Sequence, residues 1–291
     1  KYADGEQSFA RALRLRPRDS DALLGLADSY NGQGRAAEAE KLYQQVLALR
    51  PDETNALSRY GYFCFTRGRH EEAANYFRKV SELAPEFAQA HTNLGAALDK
   101  LGRKEEARLA YQKALALQPT AVGFSNLGAL EFSLGRYSDA RLSFMHATEL
   151  APSDHVMWAN LGDACRFVPG KESEASAAYE RAIHAAEGTL QINPNDANAR
   201  SVVALCLART GKGEEGQREI RRALELDPTN TNVLYRAAVI ALLRGNSDAA
   251  VSWIERAVAN GYPTRELQSD PELEALRALP SFRKAVESRK S

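Results

Sequence analysis

The stretch "TNLGAALDKLGRKEEA", residues 92–107, returns as "SNLGALEFSLGRYSDA" at 125–140 and begins again as "ANLGDACRFVPG" at 159–170. An Asn-Leu-Gly triplet therefore recurs at Asn93, Asn126 and Asn160 with no residues of obvious catalytic type around it. A period near 34 residues is the mark of stacked supersecondary units, each too small to bury a core alone.

Working outward, prolines at 17, 51, 85, 119, 152, 194 and 228 keep the same period, apart from one interval of 42 residues. Eight residues before most of them stands a large apolar anchor: Phe9, Tyr43, Phe77, Tyr111, Phe144 and Ile220. Four residues before each anchor comes a small residue, such as Ala39, Ala73, Ala107, Ala140, Ala175 or Gly216. An earlier small position holds Ala27, Gly61, Gly95, Gly128, Gly162, Ala204 and Ala238. Small positions let two helices approach closely. Between them lies a glycine (34, 68, 102, 135, 211, 245) suited to end one helix before the next begins. Each unit reads as helix, turn, helix, proline.

This pattern of Leu-Gly, turn Gly, Ala, aromatic, Ala and Pro resembles the tetratricopeptide repeat. The resemblance implies an all-α, right-handed superhelical solenoid of antiparallel helix pairs, with first helices lining a concave groove. The expected division is a second helix of a truncated repeat at 1–19, then seven repeats at 20–53, 54–87, 88–120, 121–154, 155–196, 197–230 and 231–262. Capping helices are expected over 263–291, with polar residues on the solvent side. Because the chain opens on half a repeat, it reads as a portion of something longer.

The fifth repeat is irregular. Tyr179 lies 15 residues before Pro194 where the other anchors lie eight before theirs. Seven added residues are about two helical turns, so one long second helix can keep its face inward. This unit and the tail resemble C-terminal repeat arrays of bacterial serine/threonine kinases and transcriptional regulators.

Composition narrows the function. The 38 basic and 38 acidic residues cancel, which argues against nucleic acid and anionic membranes as partners. No apolar run approaches the roughly 18 residues of a membrane span. Cys64, Cys165 and Cys206 lie in apolar helical patterns and read as buried thiols. With no signal-peptide pattern, a cytoplasmic setting is expected. "GKGEEG" (211–216) imitates a dinucleotide fingerprint but follows a helix, not a strand, and its first glycine is the repeat's turn glycine. The five histidines fit no zinc spacing, and no nucleophile elbow occurs. No catalytic, cofactor or metal residues are assigned, and the chain is not expected to be an enzyme.

Placed on the repeat, Asn93, Asn126 and Asn160 all precede the small glycine by two residues in a first helix. An amide offers both a donor and an acceptor, so a row of three can pair with the backbone of an extended peptide. The same amides can equally bond a neighbouring helix. Flanking candidates for the groove are Tyr62, Arg166, Asp99, Asp163, Phe65 and Arg59. Phe132 reads either as a groove residue or as a displaced core residue, since Glu131 takes the usual aromatic position. The expected function is a protein-interaction scaffold holding a peptide or partner segment. The alternative is a structural or self-associating module that docks a missing effector domain such as a kinase.

Overall fold

The structure, a computed structural model, describes residues 2–287. Helix α1 (Tyr2–Leu15) precedes seven helix pairs. They are α2 (Ser20–Gly32) with α3 (Ala36–Leu49), α4 (Thr54–Thr66) with α5 (His70–Leu83), and α6 (Ala88–Lys100) with α7 (Lys104–Leu117). Next come α8 (Ala121–Ser133) with α9 (Tyr137–Leu150), α10 (His155–Arg166) with α11 (Glu172–Ile192), α12 (Ala197–Arg209) with α13 (Gly213–Leu226), and α14 (Thr231–Leu243) with α15 (Ser247–Ala259). The short helix α16 (Thr264–Ser269), a 3-10 turn (Pro271–Leu276) and α17 (Pro280–Glu287) follow. No strand occurs among the described residues. The chain divides at Pro119 and Thr120 into two compact units, one holding α1–α7 and the other α8–α17.

Local sequence sets the boundaries. At the turn of the first pair, the Arg35 N–H donates to the Tyr30 carbonyl at 2.9 Å and the Gly34 N–H to that of Asn31 at 3.0 Å. This closure requires a left-handed residue, and Gly34 has φ +80°. The fifth repeat uses Gly170 (φ +76°) in this role, because the inserted residue moves the turn off the sequence period. Each repeat proline lies just past a helix end, where it cannot continue the helix. Two residues after it an N-cap starts the next helix: Asp19 accepts from the Ala22 N–H, and Asp154, Asp196 and Asn230 act alike.

The anchors explain the small positions. A Cβ built on Gly162 would meet the Tyr179 ring at 2.5 Å, and one on Gly128 the Phe144 ring at 2.9 Å. Each ring lies across the glycine of its own repeat. Phe9 of α1 lies in the same way over Gly25, as a second helix of a preceding unit would. In the sixth repeat, a Cβ on Gly216 would meet the Ala204 carbonyl oxygen at 2.6 Å, so here the helix backbones themselves nearly touch. That contact accounts for glycine in a slot where the other repeats mostly carry alanine.

Helix α11 is 21 residues long against 13 or 14 in its counterparts, as the insertion requires. The three cysteines are free and buried. No helix among the described residues is long and apolar enough to cross a membrane. Leu267, Leu273, Leu276 and Phe282 of the C-terminal segment are buried in one cluster with residues of α12–α15.

Two glycines should respond oppositely to alanine. Gly188, exposed one turn before the end of α11 with nothing within 4 Å of a built Cβ, should gain up to about 1 kcal/mol as Gly188→Ala. Gly216→Ala should lose about 1 to 3 kcal/mol through overpacking. Urea midpoints of the two variants check the order.

His155 gives a pH signature. Its Nε2 is buried without a partner, and burial lowers its pKa below the ordinary 6.5, with Arg236 adding to the shift while Asp154 and Asp196 oppose it. Folding therefore favours the neutral ring, and its contribution to stability is full above 6.5 and is lost as pH falls below that value. His155→Gln should flatten the drop in urea midpoint between about pH 7.5 and about pH 5.5. Part of the drop should persist through His70, which burial shifts in the same direction.

Candidate functional site

The three asparagines fall at matching places on α6, α8 and α10. Asn93 belongs to the first compact unit, and Asn126 and Asn160 to the second. Asn93 Oδ1 accepts from Gln89 Nε2 at 2.8 Å within its own helix. The side chains of Asn126 and Asn160, both partly buried, make no hydrogen bond among the described residues. Among the described residues none of the three amides bonds a neighbouring helix.

In the first unit, Tyr62 presents an exposed ring on α4 (59% exposed). Phe65 is partly buried, its ring 5.2 Å from that of His70. Arg59 is engaged: it ion-pairs with Asp28 at 2.5 Å and donates to Asn55 at 3.0 Å. Asp28 also accepts from the hydroxyl of the anchor Tyr43. Burial and that carboxylate together push the Tyr43 phenol far above its ordinary pKa. Asp99 acts similarly at longer range, adding to the effect of burial on Tyr111.

The second unit repeats this device, with Tyr179 donating to Asp163 at 2.7 Å. Asp28 and Asp163 each follow the first small residue of their repeat, and both repeats carry tyrosine as anchor. Phe77 and Phe144, which have no hydroxyl to satisfy, have Tyr62 and Ala129 opposite them in that slot. Tyr111 departs from the pairing, with Ala96 in that slot and Asp99 acting only at longer range.

The larger surprise is where the C-terminal segment places its charges. Helix α10 packs beside α12, and α12 beside α14. Arg209 at the end of α12, with its side chain 2% exposed, pairs with both Asp163 and Glu272, the latter at 3.0 Å. Arg166 at the end of α10 pairs with the same Glu272 at 2.8 Å. Burial works against the Arg166 guanidinium, but Glu272 and Tyr179 outweigh it and raise its pKa. Tyr235 of α14 donates to Asp270 at 2.6 Å, while Asp270 caps the 3-10 turn through the Glu272 N–H. Arg277 donates to the Asp270 carbonyl at 2.8 Å. Thus Arg166 and Asp163, expected to face a partner, are committed within the chain. Two acidic residues of the tail, expected on its solvent side, instead turn inward. A buried guanidinium needs carboxylates, and Glu272 supplies one from 106 residues beyond Arg166.

Phe132 proves to be a packing residue. Its ring meets those of Tyr137 and Phe167 edge-on at 5.2 and 5.4 Å. Glu131 beside it is buried and accepts from Ser143 Oγ at 2.7 Å. Among the described residues no group of His, Cys, Asp and Glu could hold a metal ion.

Recurring antiparallel helix pairs, glycine-closed turns and rings laid across small residues define a helical-repeat scaffold. The chain belongs to the tetratricopeptide repeat family. Residues 23–184 match the family model of the middle TPR-like domain of cilia and flagella-associated protein 70, and residues 210–262 match a tetratricopeptide repeat model. Among curated relatives, it is 31% identical over 87 residues to mouse (Mus musculus) interferon-induced protein with tetratricopeptide repeats 3. It is also 31% identical over 94 residues to the peroxisomal targeting signal receptor of Yarrowia lipolytica. These matches cover 30% and 32% of this chain but only 22% and 14% of the relatives. A tetratricopeptide repeat protein from Parabacteroides merdae has a similar fold, with TM-score 0.62 and 16% identity over 84% of this chain and 93% of that one. The Cut9-Hcn1 hetero-tetramer of APC/C gives 0.58 and 17%, over 90% and 50%. MamA gives 0.55 and 22%, over 60% and 95%.

Removing Arg209 should leave Asp163 and Glu272 short of a cation. Arg209→Met is expected to destabilise the second unit by about 3 to 5 kcal/mol. Adding Glu272→Gln should recover part of that loss, a coupling that urea unfolding of the single and double variants measures.

Proposed function

We propose that the chain is a protein-interaction scaffold whose first helices hold an extended partner segment, as the interaction module of a larger protein such as a kinase or transcriptional regulator. The observation that carries this reading is the state of the amides. Asn126 and Asn160 recur in register and have no hydrogen-bond partner among the described residues, which leaves donors and acceptors for a peptide backbone. Each bond is worth only about 0.5 to 1.5 kcal/mol net, so side chains beside the amides have to set selectivity. Tyr62 offers large contact area at small entropic cost. Arg59, Arg166 and Asp163 shape the surface through their internal ion pairs. Within the first unit, Asn93, Phe65 and Asp99 are the further proposed contacts. The peroxisomal targeting signal receptor and the APC/C assembly, whose names point to binding and assembly, support the same class of function by analogy.

A rival reading has its own observation. Residues ending several second helices are exposed and apolar: Leu49 and Leu83 in the first unit, Leu150 and Ile192 in the second. They suit self-association or the docking of a further domain. A photo-crosslinking residue at position 62, compared with one at Leu109 on the second helix α7, separates the readings. The groove reading expects a discrete adduct from position 62 that Asn93→Ala weakens severalfold. Adducts only from position 109, or crosslinks between copies of the chain, would favour the rival.

A further inference from the structure

Two arginines of the second unit, Arg209 with its side chain 2% exposed and Arg236 partly buried, are treated differently. Arg209 has two carboxylates. Arg236, in α14, has none: its Nη1 donates to Asn198 Oδ1 at 2.7 Å and to Ser201 Oγ at 2.9 Å, both neutral, and no carboxylate comes within ion-pair distance among the described residues. Burial lowers its pKa, a sign that the surroundings do not compensate the charge. A guanidinium carries five donors, and only one nitrogen is used here. A partly buried cation with no counter-charge is ready to accept one from outside the chain.

Arg236 lines a cavity of about 140 Å³ together with Asn160, Asn232 and Tyr262. That volume is close to the roughly 150 Å³ hole that admits one benzene ring in an engineered cavity, which sets the scale at a single side chain. The Asn160 and Asn232 amides have no side-chain hydrogen bond among the described residues. The thiol of Cys206, also in the wall, is pushed up to about 12 by burial and stays neutral. The one carboxylate of the wall, Asp163, is already held by Arg209 and by Tyr179. The Tyr262 ring stacks on Tyr235, which Asp270 fastens, so the C-terminal segment holds this side of the cavity in place.

We propose that this cavity is a receptor for one acidic side chain, an Asp or Glu of a partner segment, with Arg236 as the cation and Asn160 and Asn232 as neutral donors. Charge-assisted bonds from a guanidinium fork to a carboxylate are about twice as strong as neutral ones. A partner segment carrying an acidic residue at this point is therefore selected over one carrying an amide. The proposal rests on the reading that first helices hold a partner segment. Crosslinking at Tyr62, in the other unit, succeeds or fails independently of it.

The probes are acetyl-Ala-Ala-Glu-Ala-Ala-amide, its Gln counterpart, and acetyl-pentaalanine with a free C-terminal carboxylate, each titrated into the full chain. Binding is read from the Nε–Hε resonance of Arg236 and from the thermal midpoint. The Glu peptide should shift that resonance and bind at least about tenfold more tightly than the Gln peptide. Arg236→Gln, shown folded by circular dichroism, should abolish the preference, and Arg236→Lys, which keeps the charge but loses the fork, should weaken it. Equal binding of Glu and Gln peptides would overturn the proposal, as would a preference that survives in Arg236→Gln. Binding of the free-terminus peptide alone would overturn the assignment to a side chain. If Arg236→Gln fails to fold, the wild-type comparison and Arg236→Lys still decide.

Discussion

The middle of the array depends on a ring lying across a residue that has no room to spare. Within each of repeats two to five, the anchor of the second helix covers a glycine of the first at a distance no side chain would tolerate, as Tyr179 does over Gly162. This nesting sets how closely the two helices approach. A helix of 13 or 14 residues has little stability of its own in water, so close packing with neighbours is what makes the array a folded object. The first helices are thereby held in register, and any binding surface they form inherits that spacing.

Once the ring is a tyrosine, its hydroxyl has to be satisfied as well, and this links the packing to the polar surface. Tyr43 and Tyr179 reach Asp28 and Asp163 at the ends of the first helices, and those carboxylates in turn hold Arg59 and Arg209. A packing requirement in the core therefore fixes which charges on the first-helix face are spent and which are left over. In the second unit the remainder is Arg236 with the unpartnered amides of Asn160 and Asn232.

The repeat architecture was legible because it is written in local chemistry that recurs: proline, turn glycine, small residue and ring at constant offsets. The seven-residue lengthening of α11 was equally plain, being a multiple of the helical repeat. The asparagines could be placed on their helices from the same offsets. Hidden from view was every contact that the period does not generate. Glu272 lies outside the repeats and meets arginines of two of them, one more than a hundred residues away, so no offset points to it. Phe132 remained ambiguous for a related reason, since its partners are Tyr137 at the start of α9 and Phe167 in the turn of the irregular fifth repeat.

The inward-turned acidic segment has a consequence for how such a chain can change over generations. Arrays of this kind lengthen and shorten by duplicating or losing whole units, which succeeds when each unit touches only its neighbours. The first unit keeps that freedom, because its ion pairs join adjacent repeats. In the second, Glu272 and Asp270 bind α10, α12 and α14 together. Excising or inserting a unit there would carry Arg166 or Arg209 out of reach of its carboxylate. The last three repeats are thus bound to be inherited as one block, while the start of the chain is free to vary in copy number.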